Sequence, residues 1–433
     1  MKCGKNLKLT LRSVVVLWLL GSVFVLRVSK TRADDRRDVG AANAHQPVDY
    51  MGERISQSEN VAEEKNGCAD EEDSGAEIEK KPWTLMSIFD DACGQSCLKN
   101  KGITIAGWSD FGYSSAPDGA FTGNGPFLDE KEWGKVNLNQ MYLFAAKAAD
   151  GSKGIDWGFR ADVIYGVDGN EAQAFGNPPG NWDYLNGWDH GIYEWALPQL
   201  YAEVAMGDLA IKVGHFYTPH GYEVFTAPDN FFFSKQLMFW NSEPATHTGV
   251  QGTYKVNDKL SVLAHWVLGW DTGYNQFGGG NMGTGGVTYT FSDKTSLIFT
   301  SGFGDFGWRG DGTINCVILS QKWTAKWTTV HQFDILQTNL GSDLADPASL
   351  IAGNSHGLIN YAFYQLTEKA KAGIRYEWYK ADGVSYNEFT YGVNYQVSPS
   401  IVVRPEMRHN WAPANDVSPW NQNIFAVDAI VKF

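Results

Sequence analysis

Phe425-Ala426-Val427-Asp428-Ala429-Ile430-Val431-Lys432-Phe433 closes the sequence, and its alternation decides the fold. In an extended strand Phe425, Val427, Ala429, Val431 and Phe433 share one face, while Asp428 and Lys432 lie on the other. A final aromatic residue adds little to a soluble protein. It suits a closed barrel in lipid, whose last strand pairs with its first and whose outer face stays apolar to the end. The reading therefore depends on whether the pattern repeats.

It does repeat. Trp157, Phe159, Ala161 and Val163 alternate with Asp156, Gly158, Arg160 and Asp162, and Leu260, Val262, Ala264, Trp266 and Leu268 alternate with Ser261 and His265. Ala372, Ile374, Tyr376 and Trp378 alternate with Lys371, Gly373, Arg375, Glu377 and Tyr379. Phe389, Tyr391, Val393 and Tyr395 alternate with Thr390, Gly392, Asn394 and Gln396. This spacing predicts strands near 102–112, 137–147, 155–166, 196–206, 209–216, 244–256, 259–270 and 283–292. The second half adds 295–305, 313–323, 325–337, 355–367, 370–380, 385–396, 399–410 and 423–433. Connections after odd-numbered strands are mostly long and rich in Gly, Asp, Asn and Pro, whereas those after even-numbered strands are as short as Asn257-Asp258. Long outside and short inside is the rhythm of an outer-membrane barrel. The fold class is thus all-β, a transmembrane antiparallel β-barrel of about sixteen strands.

Composition agrees. The chain has 24 Phe, 17 Trp, 19 Tyr and 47 Gly among 433 residues. Aromatics serve interfacial girdles, here assigned to Trp108, Tyr142, Trp157, Tyr165, Trp266, Trp270, Trp327, Tyr376 and Trp378, and Gly serves turns and curved walls. A soluble sandwich or carbohydrate-binding barrel would explain the alternation. It would not explain the aromatics at strand ends or the long–short rhythm.

Residues 1–33 carry Lys2, Lys5, Lys8 and Arg12 before an apolar run from Val14 to Leu26, with Thr31-Arg32-Ala33 as a cleavage site: a signal peptide is expected. An uncleaved membrane helix is the alternative reading. Removal of that segment takes away seven basic residues and shifts the formal charge from −14 to −21, which argues against a nucleic-acid partner. Residues 34–80 are acidic and poor in aromatics, as in a disordered periplasmic extension. Residues 81–100, with Trp83, Met86, Ile88, Phe89 and Cys93 on one side, suit a short amphipathic helix or a linker before the barrel at 101–433. Cys93 and Cys97 are close enough in sequence to pair.

From about residue 83 onward the chain resembles the bacterial outer-membrane porins of the β-barrel porin-2, OmpL-like type. The likeness rests on the aromatic, Gly-rich strand Gly102 to Tyr113, on Lys212-Val213-Gly214-His215-Phe216-Tyr217-Thr218-Pro219-His220-Gly221, and on the strand ending in Phe433. The resemblance implies a passive pore in a Gram-negative outer membrane, with lipid around it, small hydrophilic solutes or ions as cargo, and no cofactor. It adds that Phe433 ends the membrane-insertion signal. Porins commonly trimerise, so a homotrimer is an expectation as well.

A sixteen-strand barrel encloses water, and its polar strand faces should line the channel. By alternation the pore-lining set includes Arg160, Asp162, Glu203, Lys212, Arg375, Glu377, Arg404, Glu406 and Arg408. Arg404 and Arg408 share one face of a single strand and give a basic-leaning wall. The third long connection, 217–243, holds Phe231-Phe232-Phe233, Phe239 and Trp240 and would be unstable in water. It is expected to fold inward as a constriction loop, with Glu223 or Asp229 facing the Arg404/Arg408 wall and Trp240 available for stacking on sugars. The competing roles are a structural anchor barrel with a periplasmic extension and a sugar-selective channel. Enzyme and metal chemistry find no support: His215 and His220 lack a third ligand at fitting spacing.

Overall fold

Alternating segments whose outer face meets lipid must satisfy every backbone group within the sheet, and the computed structural model meets that requirement by closing the sheet on itself. It describes residues 83–90, 96–115, 134–176, 179–188, 191–274, 279–340, 352–412 and 421–433. The expected signal peptide, the acidic extension, Cys93 and the tips of several long connections lie outside the described residues. The first half of the wall is β1 (Thr104–Ser114), β2 (Val136–Lys147), β3 (Ile155–Gly166), β4 (Glu194–Ala196), β5 (Leu200–Met206), β6 (Leu209–Tyr217), β7 (Thr246–Asn257) and β8 (Leu260–Val267). The second half is β9 (Asn281–Ser292), β10 (Thr295–Asp305), β11 (Asp311–Lys322), β12 (Trp327–Thr338), β13 (Asn354–Gln365), β14 (Ala370–Ala381), β15 (Val384–Ser398), β16 (Ile401–Trp411) and β17 (Asn421–Lys432).

Seventeen segments make sixteen staves. β4 and β5 both pair with β3, Ala196 opposite Ile164 and Leu200 opposite Ala161. Between them stands Pro198, which has no N–H for the ladder, so the stave bulges there. The ladder resumes at once, with the Asp162 N–H donating to Gln199 O at 2.8 Å. Closure runs between β1 and β17, Trp108 opposite Lys432 through Ser114 opposite Ala426. Phe433 and Gly107 exchange both backbone hydrogen bonds, at 2.9 and 3.0 Å. The sixteen-stave barrel and the strand positions read from the sequence agree with this architecture, most boundaries to within two residues.

The outward residues are apolar and exposed, among them Trp157, Val204, Trp266, Ile374, Tyr391 and Phe425, and Val204, Trp266, Ile374 and Phe425 have buried neighbours on either side in the strand. Such a belt belongs in lipid. One hairpin breaks the long–short rhythm. Asp382-Gly383 joins β14 to β15 with both residues at positive φ, 43° and 95°, the two-residue turn whose twist matches its strands. At the other end a short 3₁₀ turn, Leu85–Phe89, tucks Met86 under β1, and the Ile105 N–H donates to Met86 Sδ at 3.1 Å.

Two expectations need correction. Trp108, Tyr142 and Trp270 point inward and are buried rather than serving an interfacial girdle. Trp108 stacks on Tyr142 at 4.1 Å, and its indole N–H donates to Gln140 Oε1 at 2.9 Å, the partner a buried indole requires. Nor is the inward face polar throughout. On β13 it carries Ile359, Tyr361 and Phe363, because this stretch receives an apolar loop from within.

Candidate functional site

Four adjacent strands bring a row of charges to the inner wall. Sheet register sets Arg404 on β16 opposite Asp428 on β17, and Thr390 on β15 between Arg375 on β14 and Arg408 on β16. The side chains of Arg375, Glu377, Glu388, Arg404, Glu406, Arg408 and Asp428 are all buried. Carboxylates and guanidiniums so enclosed persist only where each meets partners. Arg404 Nε donates to Asp428 at 2.9 Å, Arg408 Nη1 to Glu388 at 3.3 Å, and Arg375 Nε to Glu388 at 2.9 Å.

The remaining partners come from the connection between β6 and β7, residues 218–245. Its apolar side chains Phe225, Phe232, Phe233, Leu237, Met238 and Phe239 are buried inside the barrel. Phe225 and Phe239 pack on one side with Trp108, Tyr142 and Phe144, whereas Phe232, Leu237 and Met238 pack on the other with Ile318, Val330 and Ile359. Glycines in the wall admit the rings. A Cβ at Gly373 would stand 2.4 Å from the Phe231 ring, and one at Gly112 equally close to the Phe233 ring.

Polar contacts fix the same loop. Glu406 accepts from the N–H groups of Phe233 at 2.9 Å and Ser234 at 3.2 Å. Glu377 accepts from Leu237 at 2.6 Å and Met238 at 2.8 Å, where the helix Leu237–Ser242 begins with N–H groups that lack intrahelical acceptors. Arg404 Nη1 donates to Ala227 O at 2.8 Å and Asn230 O at 2.7 Å. Arg375 Nη1 donates to Glu223 at 2.5 Å and to Ser234 O at 2.9 Å. From β2, Gln140 donates to Phe225 O and accepts from the Ala227 N–H, at 2.9 and 3.1 Å. Charge-assisted hydrogen bonds of this kind are about twice as strong as neutral ones.

The other expected residues have definite places. Arg160 Nε donates to Asp162 at 2.8 Å, and Asp162 also accepts from Tyr142 Oη and from Gln199 at 2.9 Å. Glu203 and Lys212 stand opposite each other in register, with the Lys212 ammonium 4.8 Å from the centre of the Tyr201 ring. Glu223 meets Arg375 rather than the Arg404/Arg408 pair, whose carboxylate partners are Asp428 and Glu388. Asp229 accepts from Thr226 Oγ1 at 2.6 Å in the turn Ala227–Asp229. Trp240 is half-buried, its ring edge-on to Phe239 at 4.8 Å. The wall is therefore a set of paired charges, not a bare basic surface.

Sequence reasoning missed Glu388, Asp110 and Asp168, all buried beside these groups, and gave the inward-folding loop's Lys235, also buried here, no part in the site. Glu388 was accessible to the same alternation that placed Arg375, since it shares a face with Thr390. Asp168 and Lys235 sit in connections, where no period assigns a face. On the opposite wall β6, β7 and β10 contribute polar pairs without a carboxylate: His215 with Thr248 at 2.8 Å, and Thr300 with the loop residue His220 at 2.8 Å. Among the described residues no cluster of three or more His, Cys, Asp or Glu side chains is arranged to hold a metal ion.

The family model described as "Putative beta-barrel porin-2, OmpL-like" matches residues 102–433. No curated protein sequence matches the chain. Among solved structures, the outer membrane channel DcaP of Acinetobacter baumannii is similar over 76% of this chain and 97% of its own, at 12% identity and a TM-score of 0.50. A mutant of the Rhodopseudomonas blastica porin is 13% identical over 76% of this chain and 100% of its own, with a TM-score of 0.49. At 12% identity the likeness to the DcaP channel concerns the fold alone.

Proposed function

The chain belongs to the "Putative beta-barrel porin-2, OmpL-like" family, and we propose that residues 218–245, clasped by β14 and β16, set the width of its channel. The protein is an outer-membrane porin for passive diffusion of small hydrophilic solutes. The observation that carries the proposal is the double clasp: two wall carboxylates, Glu377 and Glu406, accept four consecutive-pair N–H groups of one loop. Loops that wave in solvent have no need of such partners.

Pairing also bears on selectivity. Each wall guanidinium has a carboxylate partner, so the basic lean expected from Arg404 and Arg408 is cancelled locally and discrimination rests more on size than on charge. No catalytic chemistry enters this role. The outer belt of exposed Trp, Tyr, Phe and Val supports lipid as its surroundings, with part of the belt shared between copies in a homotrimer.

Single-channel recording in planar bilayers tests the proposal. Replacing Glu377→Gln together with Glu406→Gln weakens both clasps, and the expected result is larger current steps with more open-channel noise. Unchanged steps in a folded double variant would mean that the loop does not limit the current.

A further inference from the structure

Beside the clasp lies a small cavity lined by Asp110, Gln140, Asp168, Ala227, Phe233, Lys235 and Trp240, with room for about one water-sized group. Its chemistry is unlike that of the paired wall. Asp168 Oδ2 is held by Gln140 Nε2 at 2.7 Å, whereas Asp168 Oδ1 is buried without a partner. Trp240 Nε1 is likewise a buried donor without an acceptor. Lys235, only 5% exposed, makes none of the close ion pairs that hold Arg375 and Arg404; its ammonium lies 5.8 Å from the centre of the Phe239 ring. A buried polar atom left unmatched is costly, so this pocket stands ready for a partner that both donates and accepts.

Resting on the channel reading above, we propose that the cavity is a subsite for hydroxyl groups of neutral polyhydroxylated solutes, engaged as they pass the loop. A single C–OH group matches two of the three unsatisfied atoms in the lining at once, donating to Asp168 Oδ1 while accepting from the Trp240 N–H, with Asp110 Oδ1 as the alternative acceptor. The half-exposed Trp240 ring gives the carbon skeleton an apolar face to lie on. Charged solutes fit less well. A carboxylate seated on Lys235 would meet Asp110 and Asp168, and an ammonium seated on Asp168 would meet Lys235 with Arg404 nearby. A water molecule can play the same part, and a solute hydroxyl can replace it without loss of hydrogen bonds. The cavity admits one group rather than a whole ring, so the contact is brief and suits transport.

The test is single-channel recording of the full chain in KCl with sorbitol added to one side, with glycine and succinate as the zwitterionic and anionic comparators. Wild type should show concentration-dependent interruptions of current with sorbitol and weaker ones, if any, with glycine or succinate. Trp240→Phe keeps the ring and removes the N–H; Asp168→Asn keeps the shape and alters the acceptor. Each should weaken the sorbitol effect by about fivefold or more, with circular dichroism confirming the barrel. Interruptions of equal strength in wild type and both folded variants overturn the subsite, as does a preference for glycine or succinate. A barrel that conducts yet ignores sorbitol overturns the subsite alone. One that never conducts overturns the channel reading beneath it.

Discussion

Arg375 shows how much one residue can organise. It is fully buried, and its guanidinium reaches Glu223, Glu388, the Ser234 carbonyl and the Ser234 hydroxyl. Deleting one member of a buried ion pair leaves the rest uncompensated and typically costs about 3–5 kcal/mol. Arg375→Leu should lower barrel stability by that order, measured by urea unfolding in detergent. Arg375→Lys should recover little, because a point charge cannot reproduce the planar fork that spans wall and loop. A Lys variant as stable as wild type would show that charge alone matters. At this scale the sequence was readable wherever period 2 applies: Arg375, Glu377, Arg404, Glu406 and Arg408 all face inward as alternation requires. What alternation could not give is partnership. That Glu223 meets Arg375, across 152 residues of chain, depends on where a loop folds.

Elements divide in the same way. Strands were legible because lipid outside and the interior inside enforce a two-residue period over 11 or 12 residues at a time. The inward apolar run of β13 was not, since its reason is the loop that packs on it. Connections carry their own physics. In the one between β3 and β4, Asp183 is buried and accepts from the Phe175 N–H at 2.9 Å. Burial raises its pKa to about 6, against the pull of the Phe175 and Gly176 N–H groups. A folded-state pKa above the ordinary 3.8 means that the folded loop holds the proton more tightly. Its stability should therefore rise as pH falls through 6 and level off below about 4. Glu171, pushed up to about 8 by burial, adds a slope of the same sign between about pH 4.5 and 8. Amide exchange at Phe175, corrected for intrinsic rate, should show greater protection at pH 4 than at pH 7, with Asp183 alone contributing up to about a hundredfold. Asp183→Asn should remove the Asp183 share of that slope, which falls between pH 4 and 6, and leave the Glu171 share. Protection in wild type that did not vary with pH would contradict the burial of this carboxylate.

For the whole molecule the sequence was most informative about closure. The segment 425–433 implied a last strand pairing with the first, and the register from Trp108 to Ser114 realises it. Less legible was how the interior is used: the barrel holds its own connection, which fills two sides of the wall with apolar packing and ties itself to paired charges. The central claim is that this loop sets the size of what passes. Polymer-exclusion sizing tests it most directly, with single-channel current measured in the presence of polyethylene glycols of increasing mass. Wild type should exclude polymers which enter, and so depress the current of, the folded Glu377→Gln, Glu406→Gln channel. The same cut-off in both channels would contradict it.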